Sequence, residues 1–337
     1  MKSEILAKVI RGDTVESIHR GHFVVIDGSR NVVASAGDRE NVTFLRSASK
    51  ALQAVPLITT GAADNFGFSE EEIALACASH SGETIHVRLA NLMLERIGLT
   101  ESHLRCGAHL PFNEKEAERM QRAGEYPTQL HNNCSGKHIA MLAVAKHIGA
   151  DLASYEEIDH PVQQAIIQAV SVFTETPIDQ IKIGIDGCAA PNFAVTILAM
   201  AKSFLNLVSP SAGFDSEMRD ASARIVNASI NCPEVIGGTE RLDTMIMKAA
   251  EGKVISKVGA DGVWLCGVLP NDKWPTGLGI ALKVEDGDDK RARPVVAVKI
   301  LKQLRILSDD DLPELSPMSI KNRRGDAVGK VEAILPR

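Results

Sequence analysis

Two hydrophobic rhythms divide this chain. Phe23-Val24-Val25-Ile26 is a β-branched and aromatic run, closed by Asp27-Gly28 and answered by Val32-Val33-Ala34, which is the pattern of an antiparallel hairpin. From Ser47 to about Gly149 the apolar positions shift to helical spacing, with Val87, Leu89, Leu92 and Leu94 inside Ile85–Ile97 and a second series through His138–Ile148. Strand character returns at Ile181-Lys182-Ile183-Gly184-Ile185, followed by helical stretches around Leu198–Val208, Ala221–Ile230 and Leu242–Ala250. Val254–Val258, Val263–Leu269 and Leu278–Val284 then read as successive strands, before a helix over Arg293–Leu307 and a last strand around Val328–Leu335. Strands at both ends enclosing helices predict an α+β fold, in which both chain ends build one antiparallel sheet packed with helices and the middle forms a helical lobe. The expected organisation is one domain over residues 1–337, with 1–45 and 181–337 mainly sheet-forming and 46–180 mainly helical. A small-molecule cleft is expected between the two parts.

Composition narrows the function classes. The chain has 45% hydrophobic and 24% charged residues, ordinary for a globular protein, and its formal charge of -6 carries no clustered basic face for nucleic acid. The amino terminus lacks the apolar region of a secretion signal and no window reaches a membrane-spanning length, so the expected compartment is the cytoplasm, without membrane partners. Six cysteines, at positions 77, 106, 134, 188, 232 and 266, are scattered through a long chain, which predicts thiols or metal ligands over a disulfide framework.

The first chemical signal is Arg46-Ser47-Ala48-Ser49-Lys50. Residues three apart share a helix face, so Lys50 can stand beside Ser47 and, once desolvated or crowded by another cation, serve as base for a serine nucleophile. The same spacing also arises from a helix cap followed by a solvated lysine. Its company is more specific: Cys77-Ala78-Ser79-His80-Ser81-Gly82-Glu83 is a polar run directly after the apolar Ile73–Ala76, and Ser256-Lys257-Val258-Gly259 ends a β-branched run. A serine–lysine pair, a serine-rich element and then Lys-x-Gly on a strand is the order found in penicillin-recognising serine hydrolases.

A second constellation holds Asn132-Asn133-Cys134-Ser135-Gly136-Lys137-His138 before a helix and Asp186-Gly187-Cys188 just beyond a strand. Cys134 and Cys188 are candidate thiolate ligands for zinc with Lys137 or His138 as a third group, and the alternative is a pair of small buried hydrophobes. His80, His109 and His131 are weaker candidates.

Together with Leu104-Arg105-Cys106-Gly107-Ala108-His109 and Lys257-Val258-Gly259-Ala260-Asp261, these strings resemble the Rhizobium-type L-asparaginases, the class 3 or asparaginase II family, over nearly the whole chain. The resemblance implies a fold like the serine β-lactamases and glutaminases, a homodimer, and hydrolysis of L-asparagine to L-aspartate and ammonia. It implies Ser47 as nucleophile with Lys50 as base, Ser79 with Lys257 as a second pair, and Cys134, Lys137 and Cys188 as zinc ligands. Since the serine already provides the nucleophile, such a zinc is expected to have a positioning or affinity role and not to generate hydroxide. Arg46, His138 and Asp186 correspond to residues around substrate and metal, and His80, Glu83 and Arg241 join the expected substrate contacts. Arg46 or Arg241 would clamp an α-carboxylate, while Asp186 with Glu83 would meet an α-ammonium. This chain has Asp243 where the resemblance leads one to expect a further cysteine. Rival readings are a glutaminase or other serine amidohydrolase on the same scaffold, and a non-enzymatic zinc- or thiol-binding protein in which Ser47 only caps a helix.

Overall fold

The computed structural model describes residues 2–335. Its strands are β1 (Glu4–Arg11), β2 (Thr14–Asp27), β3 (Val32–Ala36), β4 (Val42–Phe44), β5 (Lys182–Ile185), β6 (Pro191–Thr196), β7 (Val254–Val258), β8 (Val263–Val268), β9 (Leu278–Val284), β10 (Met318–Lys321) and β11 (Ala327–Ala333). Eight of them form one antiparallel sheet in the order β10-β11-β1-β2-β9-β8-β7, with β3 paired to β2. The sheet is therefore built from both chain ends, and the α+β class expected from the sequence is the one observed. The predicted hairpin is the β2–β3 pair, with Val25 opposite Ala34 and Ile26 opposite Val32. A smaller sheet, β4-β6-β5, lies apart from it. β4, β6, β1 and β10 are elements that the sequence pattern did not reveal.

β7 and β8 are buried at every position, so both faces of that half of the sheet are covered. The helix Ile197–Val208 packs across β2, β8 and β9, and the helix Ala292–Gln303 runs along β1, β9 and β11. Gly279 on β9 explains how close the first helix comes: a Cβ there would sit 2.1 Å from the carbonyl oxygen of Ala201. Its register partner on β8 is Gly267, where a Cβ would stand 2.7 Å from the carbonyl oxygen of Phe204 of the same helix.

Between the sheet segments run the helices Glu70–Cys77, Thr84–Arg96, Ser135–Ile148, Pro161–Thr174 and Ser216–Asn231. Ser69 starts the first of them with a reciprocal capping box to Glu72, so its apolar residues begin in register with the core. Ser135–Ala145 is buried throughout, a core helix that carries Lys137 and His138 inside the protein. It lies against Glu70–Cys77 at Gly136, where a Cβ would stand 2.2 Å from the carbonyl oxygen of Leu75. That contact brings the segment after Cys77 beside the segment before Ser135, which is where the polar side chains gather. No helix among the described residues is long and apolar enough to cross a membrane, and all six cysteines are free.

Candidate active site

A cleft of about 670 Å3 opens where these segments meet, lined by Arg46, Ser47, Ser79, Cys134, Asp186, Cys188 and Arg241, among others. These predicted residues thus converge from five stretches of sequence. Ser47 lies half-buried in the short helical turn Arg46–Ser49. Arg46 precedes it in the left-handed region, with φ of 51°, which is unusual for a residue with a side chain. Its conformation is held at both ends. The Arg46 N–H donates to Asn192 Oδ1 at 3.1 Å, the guanidinium pairs with Asp186 at 3.0 Å, and a second pair joins it to Asp261. Arg46 and Asp186, expected to meet opposite ends of a substrate, therefore meet each other.

Lys50 departs from the simple Ser-x-x-Lys picture. Its buried ammonium donates to Ala78 O at 2.8 Å, to Ser79 Oγ at 3.0 Å and to Asn133 O at 3.0 Å, and makes no hydrogen bond to Ser47. Lys257, at the end of β7, reaches the same Ser79 Oγ from the other side at 2.9 Å. It also donates to Val258 O at 3.3 Å and lies 3.5 Å from Asp243. Ser79 is consequently bracketed by two amines.

Coulomb's law indicates how two such amines coexist. At an effective dielectric near 20, unit charges about 6 Å apart repel by ~3 kcal/mol, equivalent to about two pKa units. Lys257 yields: burial first, opposed by Asp243 and reinforced by Lys50 and Arg241, brings its pKa down to about 8. Asp243 itself is buried in the first turn of the helix Leu242–Ala249 and accepts from Ser256 Oγ at 2.9 Å and from the Val258 N–H at 3.0 Å.

Cys134, Lys137 and Cys188 also come together. Lys137 Nζ lies 3.0 Å from Cys188 Sγ. The Cys134 thiol beside it and the Lys137 ammonium hold the Cys188 thiol well below its usual range, whereas its hydrogen bond to Cys188 and burial push Cys134 well above. Of the two buried thiols, Cys188 is the one that gives up its proton more readily. Burial lowers the His138 pKa, its Nδ1 pairs with the Tyr155 hydroxyl at 2.7 Å, and its buried Nε2 has no hydrogen-bond partner among the described residues. Among the described residues no three His, Cys, Asp or Glu side chains are grouped to hold a metal. An ion here would draw on two sulfurs and the lysine amine, a soft donor set that suits zinc once Lys137 has lost its proton.

Two predicted substrate contacts lie elsewhere. His80 is fully buried behind the cleft, bonded through Nε2 to Ser135 Oγ at 2.9 Å and stacked on His86. Glu83 accepts from Thr239 N at 2.8 Å, Thr239 Oγ1 at 2.9 Å and Asn113 Nδ2 at 3.0 Å, tying together two loops at the cleft. Arg241 does line the cleft, its guanidinium over the Phe112 ring and free of any ion pair among the described residues. Ala260 and Asp261 belong to the string Lys257-Val258-Gly259-Ala260-Asp261 that carried the resemblance, but the sequence reading assigned neither of them a role. Ala260 lines the cleft and its N–H makes no hydrogen bond among the described residues, as an oxyanion donor would require.

The model of one protein family, L-asparaginase II, matches residues 7–333. The chain belongs to this family. Its members are hydrolases acting on amides, so the protein is an amidohydrolase with a small-molecule amide as substrate. No curated protein matches the chain in sequence. Solved structures similar to it include a probable glutaminase from Bacillus subtilis complexed with 6-diazo-5-oxo-L-norleucine, at 11% identity over 86% of this chain and 85% of that one, with a TM-score of 0.42. A mutant of the class A β-lactamase of the last common ancestor of Gram-negative bacteria is similar at 12% identity over 86% and 92% of the two chains, with a TM-score of 0.42.

Proposed function

We propose that this amidohydrolase acts on L-asparagine, with Ser47 as nucleophile, releasing ammonia and then L-aspartate. The observation that carries the reading is the Ser79 hydroxyl bracketed by Lys50 and Lys257 at the wall of a cleft that also presents Ser47. With Lys257 neutral, the bracket is a proton path. Lys50 passes a proton through Ser79 Oγ to Lys257 and, now uncharged, takes the proton of Ser47 as the Ser47 oxygen bonds to the amide carbon. The oxyanion is met by the N–H groups of Ser47 and Ala260. Ser79, resupplied by Lys257, gives the proton to the departing nitrogen, the C–N bond breaks and ammonia leaves. Water then adds to the acyl carbon along the reverse path and frees Ser47.

The α-carboxylate is met by the Arg241 guanidinium, which has no ion pair among the described residues, and the α-ammonium by Asp186. Cys134, Cys188 and Lys137 would hold a zinc ion, which when bound supplies a fixed positive charge beside the substrate; the serine already supplies the nucleophile. Glutamine adds one methylene, and a pocket distinguishes one methylene by roughly 10- to 200-fold.

Ammonia release from asparagine and glutamine by the wild type, Ser47→Ala and Ser79→Ala tests the reading. Expected are a preference for asparagine of at least about tenfold, loss of activity in Ser47→Ala, and a kcat lowered by about 10²- to 10⁴-fold in Ser79→Ala. Activity surviving in Ser47→Ala and lost in Ser79→Ala would move the nucleophile to Ser79.

A further inference from the structure

Behind Lys257 lies a chain of polar side chains, Trp264, Ser256 and Asp243, that do not line the cleft. Trp264 Nε1 on β8 donates to Ser256 Oγ at 2.9 Å, Ser256 Oγ donates to Asp243 Oδ1 at 2.9 Å, and the other carboxylate oxygen takes the Val258 N–H at 3.0 Å and faces Lys257 Nζ at 3.5 Å. Every member is buried: Trp264 and Ser256 are fully covered, and Asp243 and Lys257 are each 2% exposed. Burying a carboxylate is costly unless its oxygens are satisfied, and here both are. The carboxylate also sits in the first turn of a helix, where the positive end of the helix dipole favours an anion. This is a built fixture, and it points at one amine.

We propose that Asp243 is a positioning residue for the amidohydrolase reaction, one that aims the Lys257 amine at Ser79 Oγ and sets how firmly that amine holds its proton. The inference rests on the reading of Lys257 as the proton acceptor given above. The geometry leaves Asp243 no direct role, since Lys257 stands between it and Ser79. Without its negative charge, Lys257 would face Lys50 and Arg241 with no counter-charge, in a site closed by burial. The ionisable groups around Lys257 are Asp243 and Arg241 at the start of the helix Leu242–Ala249, Lys50 beyond Ser79, and the Cys77 thiol, which burial keeps protonated with a pKa pushed up to about 12. Arg293 faces Asp243 from the helix Ala292–Gln303 and is already occupied by Asp289. Asp243 is therefore the one anion among the groups that act on Lys257, and removing it has a definite sign. Lys257 should lose its proton more readily.

Asp243→Asn, nearly isosteric, tests this with two readouts. The first needs no substrate: the 13Cε resonance of Lys257, assigned by its absence in Lys257→Met, is titrated by NMR in both proteins. The midpoint should fall by about one pH unit or more, the size expected when an opposite charge within a few ångströms is removed. The second is the pH dependence of ammonia release, whose acid limb should move down with the midpoint, while kcat drops about tenfold and KM stays within about twofold. Loosened packing alone would change amplitude and leave the limb in place. Should Asp243→Asn fail to fold, Asp243→Ser removes the same charge and is read in the same way. An unshifted midpoint and limb would overturn the proposal. A wild type that releases no ammonia from either amide would instead overturn the proposed function, and the NMR midpoint would still decide whether Asp243 governs Lys257.

Discussion

Ser79 presents one hydroxyl oxygen to two amines, and the arithmetic of donors assigns their charges. A hydroxyl has a single proton to give and two lone pairs to offer. If both lysines were charged, each would donate and the Ser79 proton would be left without an acceptor in a buried site. If Lys257 is neutral, Ser79 donates to Lys257 and accepts from Lys50, and every group is satisfied. Lys50 already has three acceptors, Ala78 O, Ser79 Oγ and Asn133 O, one for each N–H of an ammonium. Lys257, brought down to about 8 mainly by burial, is the partner that can be emptied. Because the neutral amine is the working form, activity should rise with pH through about 8. In Lys257→Met, which keeps the length of the side chain and removes the amine, kcat should fall by roughly 10²- to 10⁴-fold and the limb should disappear. A limb that persists in that variant would assign it to another group.

At the scale of elements, Glu83 shows how a side chain can serve a site from outside it. It stands at the start of the helix Thr84–Arg96 and receives three hydrogen bonds, two from Thr239 and one from Asn113. Thr239 belongs to the turn that delivers Arg241, and Asn113 follows Phe112, on which Arg241 rests. Glu83→Gln removes the charge and turns one acceptor oxygen into a donor, costing about 1–3 kcal/mol of local order. KM for asparagine should rise, by up to about 100-fold, with kcat changed far less; an unchanged KM would leave Glu83 as a helix cap only. In the sequence Glu83 reads as a substrate group because it closes a polar run after an apolar helix, and its partner Thr239, 156 residues away, leaves no local trace. The same limit governs Lys50, whose spacing points to Ser47 while its bonds go to Ser79. Strands were legible where their own residues carry the pattern, as in β2, β3, β7, β8 and β9. β1 was not, because Ile5, Leu6, Val9 and Ile10 recur at helical intervals and only pairing with β2 and β11 decides for strand. β4 has three residues, too few for any period, and β6 opens on Pro191 directly after the Asp186–Ala190 turn. The Asp243 carboxylate was legible as a residue out of pattern, its purpose visible only once β7 and β8 were laid against the helix that carries it.

For the molecule as a whole, two acid limbs should separate on the pH axis. His80 and His86 are stacked with ring centroids 4.8 Å apart, and burial holds both below the ordinary histidine pKa of 6.5. The unfolded chain takes up these protons near pH 6.5 while the folded chain refuses them, so the stability the neutral pair contributes is fully present above that pH and is lost as pH falls below it. Each histidine costs at most about 1.4 kcal/mol per pH unit below 6.5, so the pair removes up to ~3 kcal/mol by pH 5.5, a large share of the 5–15 kcal/mol typical of a domain. His22 and His131, also lowered by burial, act in the same direction. Paired carboxylates such as Glu175, already held low by Lys202, Asn206 and Arg30 despite burial, release their contribution only further down, below the ordinary carboxylate range. The window from about 6.5 to 5.5 therefore belongs to the histidines. The urea midpoint should drop only slightly from pH 8 to 7, the small share that Lys257 itself contributes, and fall steeply between 6.5 and 5.5. Activity should behave otherwise, dropping reversibly between pH 8 and 7 as Lys257 gains its proton in a protein that is still fully folded. A urea midpoint that collapses between pH 8 and 7, so that the folded fraction is lost in step with activity, would tie the activity limb to unfolding and remove Lys257 as its origin.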